Sequence, residues 1–257
     1  MAISAKPTLV IVVPCYNEED ALPQTLAELS RKISRLVSDG LISQNSALLF
    51  VDDGSKDNTW KLIKEFHGEN SGLVKGIKLS ENRGHQNALL CGLLNAKNHA
   101  DVVISIDADL QDDVEAIDQM LKAHLLGAEI VCAVRSNREG DGFFKKTSAR
   151  CFYSLMRLLG SGIIRDHADF RLMGRKSLEA LSQCNEANLF LRGLILKLGY
   201  ETSIVYYDRK KRLHGKSKYS FRKMLGLAFN GLAGEYIGKI ARSKPRPHYH
   251  IEEILFD

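Results

Sequence analysis

Short apolar runs rich in β-branched residues alternate with amphipathic stretches along the first half of the chain, and this alternation limits the possible folds. The runs occupy residues 9–13, 47–51, 74–79, 102–106 and 129–134. Runs of this length are typical of buried strands, and the run at 74–79 is the weakest of them. Because helical stretches separate the runs, the pattern predicts a mainly parallel, doubly wound α/β sheet.

The stretches between these runs predict the crossover helices of the sheet. Residues 21–37 place leucine or isoleucine at nearly every third or fourth position, which is the spacing of an amphipathic helix that covers a sheet face. Further helices are expected from residue 58 onward, over 85–96 and over 114–126. Each follows a predicted strand, as right-handed crossovers require.

The length fits one large globular domain with an appendage, although two small domains would also fit it. Of the 257 residues, 44% are hydrophobic and 26% are charged, which is unlike a disordered or fibrous chain. The 5 cysteines are scattered and form no CxxC pair, so neither a disulfide framework nor a zinc site is indicated. This cysteine pattern favours a reducing, cytoplasmic compartment. The first residues are not expected to form a signal peptide, because they lack its apolar segment.

The formal net charge of +5 is unevenly distributed, because Lys and Arg strongly outnumber Asp and Glu over residues 208–246. Such a basic segment suits phosphate-bearing ligands or an anionic surface. No nucleic-acid-binding motif accompanies it, so nucleic acid is not an expected partner. The Gly-Lys-Ser at 215–217 is no Walker A motif, since Lys210 stands in place of its first glycine. No GxGxxG opens the first helix, which argues against a dinucleotide site.

Polar and acidic residues follow three of the predicted strands at the point where each strand ends. They are Cys-Tyr-Asn-Glu at 15–18, Asp-Asp-Gly-Ser at 52–55 and Asp-Ala-Asp at 107–109. Ligands of doubly wound sheets bind outside the carboxyl ends of the strands, so these three segments are expected to converge on one site. Neighbouring carboxylates repel one another unless a cation, a hydrogen-bond donor or a proton compensates them, and a divalent metal does so best.

Asp109 and Gln111 are the candidate metal ligands. Both supply the hard oxygen atoms that Mg²⁺ or Mn²⁺ prefers, and these ions commonly keep substrate phosphates as further ligands. Taken alone, an Asp-x-Asp sequence is more often a strand end or a helix cap than a metal site. The remaining motifs of the chain decide between these two interpretations.

Three motifs follow one another along the chain: Val-Pro-Cys-Tyr-Asn-Glu-Glu at 13–19, Val-Asp-Asp-Gly-Ser-Lys-Asp at 51–57 and Asp-Ala-Asp-Leu-Gln at 107–111. In this order and spacing they resemble family 2 glycosyltransferases with the GT-A fold, a Rossmann-like, doubly wound, mainly parallel sheet. Further segments at 82–88, 142–146, 168–173 and 215–219 are similar to the polyprenyl-phosphate glycosyltransferases related to dolichol-phosphate mannose synthase and GtrB-type enzymes.

The resemblance implies a UDP- or GDP-hexose as donor and Mg²⁺ or Mn²⁺ as cofactor, with Asp109 and Gln111 holding the metal. The residues that it places around the nucleoside, ribose and diphosphate are Pro14, Tyr16, Glu18, Asp53, Asp107 and Ala108. The basic residues that it assigns to the diphosphate, the sugar or the acceptor are Arg135, Arg209, Arg212, Lys216 and Lys218.

The same resemblance makes Asp169 and Arg171 of the Asp-Phe-Arg motif, together with Asp107, the candidate catalytic residues. Asp169 is expected to position the sugar, but with a hydroxyl acceptor the same carboxylate would act as a general base. His85 is expected to have a capping or surface role. Asp112 and Asp113 stand where relatives usually show a proline, and this difference is expected only to alter the start of the next helix.

The C-terminal segment departs from the relatives, which carry two transmembrane helices after the catalytic domain. This chain has no apolar stretch of the ~18 residues or more that a bilayer span needs. Residues 219–232 instead predict an amphipathic helix that lies at a membrane interface, packs on the catalytic domain or forms homo-oligomer contacts. We therefore expect a catalytic domain over 1–218 and a helix with a tail over 219–257, bound peripherally to the cytoplasmic face of an anionic membrane.

These features predict an inverting, metal-dependent hexosyltransferase with polyprenyl phosphate as acceptor. A phosphate acceptor is already anionic, so it needs no strong general base. It needs cations that hold two negatively charged substrates together. Two alternatives remain open: a soluble family 2 transferase acting on a saccharide or protein hydroxyl, and a nucleotide-sugar-binding protein without turnover.

Overall fold

The computed structural model describes residues 6–136, 167–184, 191–209 and 249–256. The strands among these residues are β1 (Leu9–Cys15), β2 (Ala47–Asp52), β3 (Val74–Leu79), β4 (Val102–Ser105), β5 (Ile130–Arg135), β6 (His167–Gly174), β7 (Thr202–Tyr207) and β8 (Ile251–Leu255). The helices are α1 (Leu22–Ser38), α2 (Thr59–Glu69), α3 (His85–Ala96), α4 (Ala116–Leu125), α5 (Arg175–Ser182) and α6 (Leu191–Lys197).

The strands form one eight-stranded sheet in the order β7-β5-β6-β4-β1-β2-β3-β8. The pairs of β1 with β2 and β4, of β2 with β3, and of β5 with β7 are parallel. β6 runs antiparallel to both β4 and β5, and β8 runs antiparallel to β3. The predicted doubly wound, mainly parallel sheet is confirmed, and the carboxyl ends of β1, β2 and β4 lie side by side at one edge.

Central strand β1 is buried on both faces, because helices cover the sheet from both sides. Leu9, Ile11 and Val13 pack into one core with α1, α2 and α4. Val10 and Val12 pack into the other core with α3, α5 and α6. Strands covered on both sides read as continuous apolar runs, which is why the sequence pattern identified β1 correctly.

Gly92 lets α3 approach the sheet closely. A Cβ atom at this position would lie 2.4 Å from Cγ1 of Val12 and 3.0 Å from Cγ2 of Val51. Side chains cannot interpenetrate at that distance, so any other residue would push the helix away from β1 and β2. Because α3 begins at the carboxyl edge of the sheet, this packing also determines where its first residues lie.

The five predicted strands and four predicted helices are present within a few residues of the expected bounds. β6, β7 and β8 were not predicted. β8 joins the end of the chain to the sheet: the indole Nε1 of Trp60 donates to the carboxylate of Glu253 at 2.8 Å, and Lys78 lies 3.0 Å from Glu252. The described end of the C-terminal tail therefore packs with the catalytic domain.

The predicted amphipathic helix at 219–232 and the predicted domain boundary at residue 218 lie outside the described residues. Among the described helices, none combines the length and the apolar character that crossing a bilayer requires.

Candidate functional site

The loops that follow β1 and β2 are joined by hydrogen bonds at the carboxyl edge of the sheet. The Asp53 N–H donates to the Cys15 carbonyl at 2.8 Å, and the Asn17 N–H donates to the Ser55 hydroxyl at 2.9 Å. The Asn17 side-chain oxygen accepts in turn from the Lys56 N–H at 2.8 Å. These contacts bring the first two of the predicted polar segments together as one surface.

The carboxylate of Asp53 holds the turn that begins α3. Its two oxygens accept from the backbone N–H groups of Arg83 at 2.7 Å and Gly84 at 2.9 Å. Burial raises the pKa of Asp53, although these two donors oppose the shift. The neighbouring Gly54 has a φ of 64°, and a Cβ there would lie 2.6 Å from the backbone of Glu81. The Asp-Asp-Gly-Ser motif therefore orders a second loop as well as its own.

The loop after β4 carries the candidate metal ligands. Leu110 adopts a φ of 52° and buries its side chain in the core, which separates Asp109 from Gln111 along a tight turn. The Gln111 N–H donates to a carboxylate oxygen of Asp109 at 3.1 Å, and the Thr25 hydroxyl donates to the Ala108 carbonyl at 2.7 Å. Helix α1 thus supports this loop from beneath.

The oxygen atoms of this loop suit a divalent cation. Asp109 supplies a carboxylate and Gln111 an amide oxygen, and the Oδ1 atom of Asp107 is buried without a hydrogen-bond partner among the described residues. No three His, Cys, Asp or Glu side chains are grouped as a metal site of protein ligands alone in the part of the chain that the structure describes. The donor set fits an ion that shares its coordination sphere with substrate oxygens, as Mg²⁺ and Mn²⁺ do.

His85, the first residue of α3, lies between two carboxylates. Its Nε2 atom is 3.2 Å from Oδ2 of Asp169 and 3.6 Å from Oδ1 of Asp107. Burial lowers the pKa of His85, but Asp169 and Asp107 outweigh it and raise the pKa to about 9. The imidazole is therefore a cation at neutral pH, and its side chain is 25% exposed toward the edge of the sheet.

Asp169 is surrounded by donors. It accepts from Nη2 of Arg171 at 2.9 Å, from Nε and Nη2 of Arg192 at 3.0 and 2.9 Å, and from Nε2 of Gln86 at 3.2 Å. Burial alone would raise the pKa of Asp169, but Arg192 and His85 hold it well below its usual range. A carboxylate in this state binds cations and does not accept a proton at neutral pH.

Arg171 is buried beneath Asp169 and is only 1% exposed. Its Nη2 atom donates to Asp169, while Nε and Nη1 have no hydrogen-bond partner among the described residues. The structure thus places Arg171 in contact with Asp169 and away from the open edge of the site.

Asp107 differs from Asp169 in its protonation behaviour. Its side chain is 36% exposed as a whole, but the Oδ1 atom is buried. Burial raises the pKa of Asp107 to about 6, and the carboxylates of Asp112, Asp169 and Asp109 add to the increase against the opposing effect of His85.

The other predicted residues are distributed around this edge. Pro14 lies in buried β1, whereas Tyr16 and Glu18 are half-buried in the loop after it. Arg135 ends β5, and Nη2 of Arg209 donates to the side-chain oxygen of Gln111. The predicted basic residues that lie outside the described residues are Arg212, Lys216 and Lys218.

The sequence analysis missed four residues of this site. His85 had an available signal, because it follows Gly84 just after β3, at the binding edge of the sheet. Gln86 is its neighbour, but Arg192 gave no local signal, since it reaches Asp169 from a helix 23 residues further on. Asp112 was interpreted only as part of a helix start, yet it is a buried carboxylate.

Residues 10–182 match the family described as "Glycosyl transferase family 2". The chain belongs to this family. One relative, the "Uncharacterized glycosyltransferase YkoT" of Bacillus subtilis, is 52% identical over 92% of this chain and 70% of its own length. The "Prophage bactoprenol glucosyl transferase homolog" of Escherichia coli is 35% identical over 86% of this chain and 70% of its own length.

Solved structures of other glycosyltransferases share the fold. The mannosyltransferase PcManGT of Pyrobaculum calidifontis has a TM-score of 0.58 at 17% identity and covers 95% of this chain and 67% of its own. Mannosyl-3-phosphoglycerate synthase of Rubrobacter xylanophilus has a TM-score of 0.60 at 16% identity, and the match covers 93% of this chain and 78% of the synthase. The predicted GT-A fold of this family 2 member is confirmed.

Proposed function

We propose that this chain transfers a hexose from a UDP- or GDP-linked donor to a polyprenyl phosphate at the cytoplasmic face of a membrane. The bactoprenol glucosyl transferases among the relatives, at about 35% identity, support a lipid phosphate as acceptor. Mn²⁺ is named with GDP-Man for PcManGT and with UDP-glucose for glucosyl-3-phosphoglycerate synthase of Mycobacterium tuberculosis, which supports a metal and a nucleotide sugar here.

The observation that carries the choice of acceptor is the state of Asp169. A hydroxyl acceptor needs a general base whose pKa lies near the working pH. Asp169 is instead held as a carboxylate by Arg171, Arg192 and His85. A phosphate acceptor needs no such base, so the arrangement suits an acceptor that arrives already ionised.

In this proposal the described residues bind and orient the two anionic substrates. Asp109 and Gln111 would hold Mg²⁺ or Mn²⁺, which when bound neutralises charge on the departing diphosphate. Asp169 holds the His85 imidazolium at the carboxyl edge of the sheet, where the cation also faces Asp107. Arg135 contacts Asp112 and Arg209 contacts Gln111, so both add positive charge beside the loop. Preorganised charges of this kind stabilise charge that develops during transfer.

The described residues on either side of the basic segment, Tyr207 and Tyr249, support a role for that segment at the same edge. Tyr207 ends β7, which runs parallel to β5, and Tyr249 precedes β8, whose first residue pairs with Leu79 at the end of β3. Both residues therefore lie at the carboxyl edge of the sheet. We include Arg212, Lys216 and Lys218 in the proposed diphosphate site on this ground and on the family resemblance.

One observation favours a second candidate, a transferase that acts on a saccharide or protein hydroxyl. The pKa of Asp107 is raised to about 6. A carboxylate with that pKa is a competent general base near neutral pH. In this reading Asp107, and not Asp169, would accept the proton of the hydroxyl.

The two candidates are separated by an assay with radiolabelled UDP-glucose or GDP-mannose, Mn²⁺ and a short-chain polyprenyl phosphate. We expect a labelled product that partitions into organic solvent and depends on the prenyl phosphate. Label transferred to a water-soluble saccharide or to protein would support the hydroxyl acceptor. Donor binding without any product would contradict both. In the same assay Asp109→Asn should lose product formation. Asp113→Asn, in the same loop, is the control for a general loss of folding and should keep it.

A further inference from the structure

Asp112 is a buried carboxylate directly after the candidate metal ligand Gln111. Its side chain is 1% exposed, and its Oδ1 atom accepts from Nη2 of Arg135 at 3.2 Å and from the hydroxyl of Tyr207. The Oδ2 atom has no hydrogen-bond partner among the described residues. A buried carboxylate with unused acceptor capacity costs free energy, which argues against stability as its only purpose.

Arg135 and Tyr207 complete a closed ring with this carboxylate. They are direct partners in the register of β5 and β7, where each is the last residue of its strand. Nε of Arg135 donates to the Tyr207 hydroxyl at 3.1 Å, while Nη2 donates to Asp112. Two separate donors of the guanidinium are therefore held by partners, and these contacts restrict rotation about the side-chain bonds of Arg135.

The orientation of the guanidinium follows from these contacts. The Arg135 side chain is 26% exposed, whereas Asp112 beneath it is 1% exposed. Arginine has five N–H donors, and the contacts among the described residues use Nε and Nη2 only. The Nη1 end is left for a ligand at the carboxyl edge, and a planar donor with a fixed orientation loses little entropy when it binds an anionic oxygen.

We propose that Asp112 and Tyr207 are positioning residues that fix Arg135 as an anchor for a phosphate oxygen of a substrate. This inference rests on the proposed function for the identity of the substrates, which offer two such groups, the donor diphosphate and the acceptor phosphate. Asp112 also ends the loop that bears Asp109 and Gln111, so its loss would disturb that loop as well. The Tyr207 hydroxyl contacts both Arg135 and the carboxylate that fixes Arg135, but it lies on β7, outside that loop.

The cleanest variant is therefore Tyr207→Phe. It removes the hydroxyl and keeps the ring, which packs edge-on against Phe170 with the centroids 5.5 Å apart. Tyr206→Phe is the matched control, because Tyr206 lies on the same strand and is 63% exposed. Arg135→Lys keeps the charge but loses the planar donor set, and it remains informative if Tyr207→Phe folds poorly.

Calorimetric titration with UDP, GDP and farnesyl phosphate, each in the presence of Mn²⁺, measures the anchor without requiring turnover. We expect Tyr207→Phe to weaken binding of one class of probe by about 5- to 10-fold and Arg135→Lys to weaken the same class more, with Tyr206→Phe unchanged. Weaker nucleotide binding assigns Arg135 to the donor diphosphate, and weaker farnesyl phosphate binding assigns it to the acceptor.

The double variant Tyr207→Phe/Arg135→Lys distinguishes positioning from an independent contact. Because Tyr207 acts through Arg135, the double variant is expected to bind no more weakly than Arg135→Lys alone. Additive losses, or unchanged binding of every probe in a folded Tyr207→Phe protein, would overturn the inference. If the wild-type protein forms no product but Tyr207→Phe still weakens a phosphate probe, the anchor stands and the proposed reaction fails.

Discussion

The Nε2 atom of His85 lies 3.2 Å from a carboxylate oxygen of Asp169, which links the start of α3 to the middle of the antiparallel strand β6. The same imidazole lies 3.6 Å from Asp107. Both candidate catalytic carboxylates, Asp107 and Asp169, thus lie beside one cation, and that cation belongs to a residue to which the sequence analysis gave no catalytic role.

The His85 ion pair predicts a pH dependence of stability. Since the folded pKa of about 9 exceeds the ordinary value of 6.5, the stabilisation is fully present below pH 6.5 and is lost as the pH rises through 9. We expect the difference in unfolding free energy between wild type and His85→Gln to fall by up to about 3 kcal/mol between pH 6 and pH 10. Urea unfolding of both proteins at each pH measures it, and the comparison cancels the titrating groups that do not interact with His85. A pH-independent difference would show that His85 is not paired as described.

The two hydrogen bonds that the Asp53 carboxylate accepts predict a loss of stability when its oxygens are removed. Asp53→Ala removes both acceptors from the part-buried N–H groups of Arg83 and Gly84, and we expect it to lower the unfolding free energy by about 1–2 kcal/mol. Asp53→Asn keeps one acceptor and should lose about half as much. Chemical denaturation with linear extrapolation measures both variants. Equal losses for Ala and Asn would mean that the carboxylate does not hold this turn through two separate bonds.

The close approach of α3 to β1 predicts that substitutions at Gly92 and Val12 have non-additive effects on stability. Gly92→Ala places a methyl group 2.4 Å from Val12 Cγ1 and should destabilise the fold by about 1–3 kcal/mol. Val12→Ala opens room for that methyl group, so the double variant should be more stable than the sum of the two single losses predicts. Thermal or urea unfolding of the four proteins completes the cycle. Strict additivity would contradict the packing described here.

The parallel half of the sheet could be predicted because strands that are buried on both faces appear in the sequence as nearly continuous apolar runs. β1, β2 and β4 are mainly apolar runs, and the polar residues that form the candidate site lie at the end of each run or within two residues of it. The three motifs also gave the correct family, and the structure brings all three of them to the carboxyl edge of the sheet. Local sequence was sufficient wherever a strand and its functional loop are adjacent in the chain.

The antiparallel strand β6 could not be predicted in the same way. Asp169 and Arg171 interrupt its apolar pattern, although both are buried in the structure. They are tolerated because they pair with each other and because α3 and α6 supply His85 and Arg192. A buried charged pair of this kind depends on partners that are distant in the sequence, so no local pattern reveals it.

Nucleotide binding measured with and without Mn²⁺ decides whether the loop over residues 107–111 is a metal-assisted nucleotide-sugar site. Calorimetric titration of UDP and GDP should show binding of one nucleotide that strengthens with Mn²⁺. Asp109→Asn should weaken the Mn²⁺-dependent binding by at least about 10-fold, whereas Asp113→Asn should leave it near the wild-type value. If Mn²⁺ had no effect, or if folded Asp109→Asn bound the nucleotide and the metal as wild type does, the proposed site would be wrong.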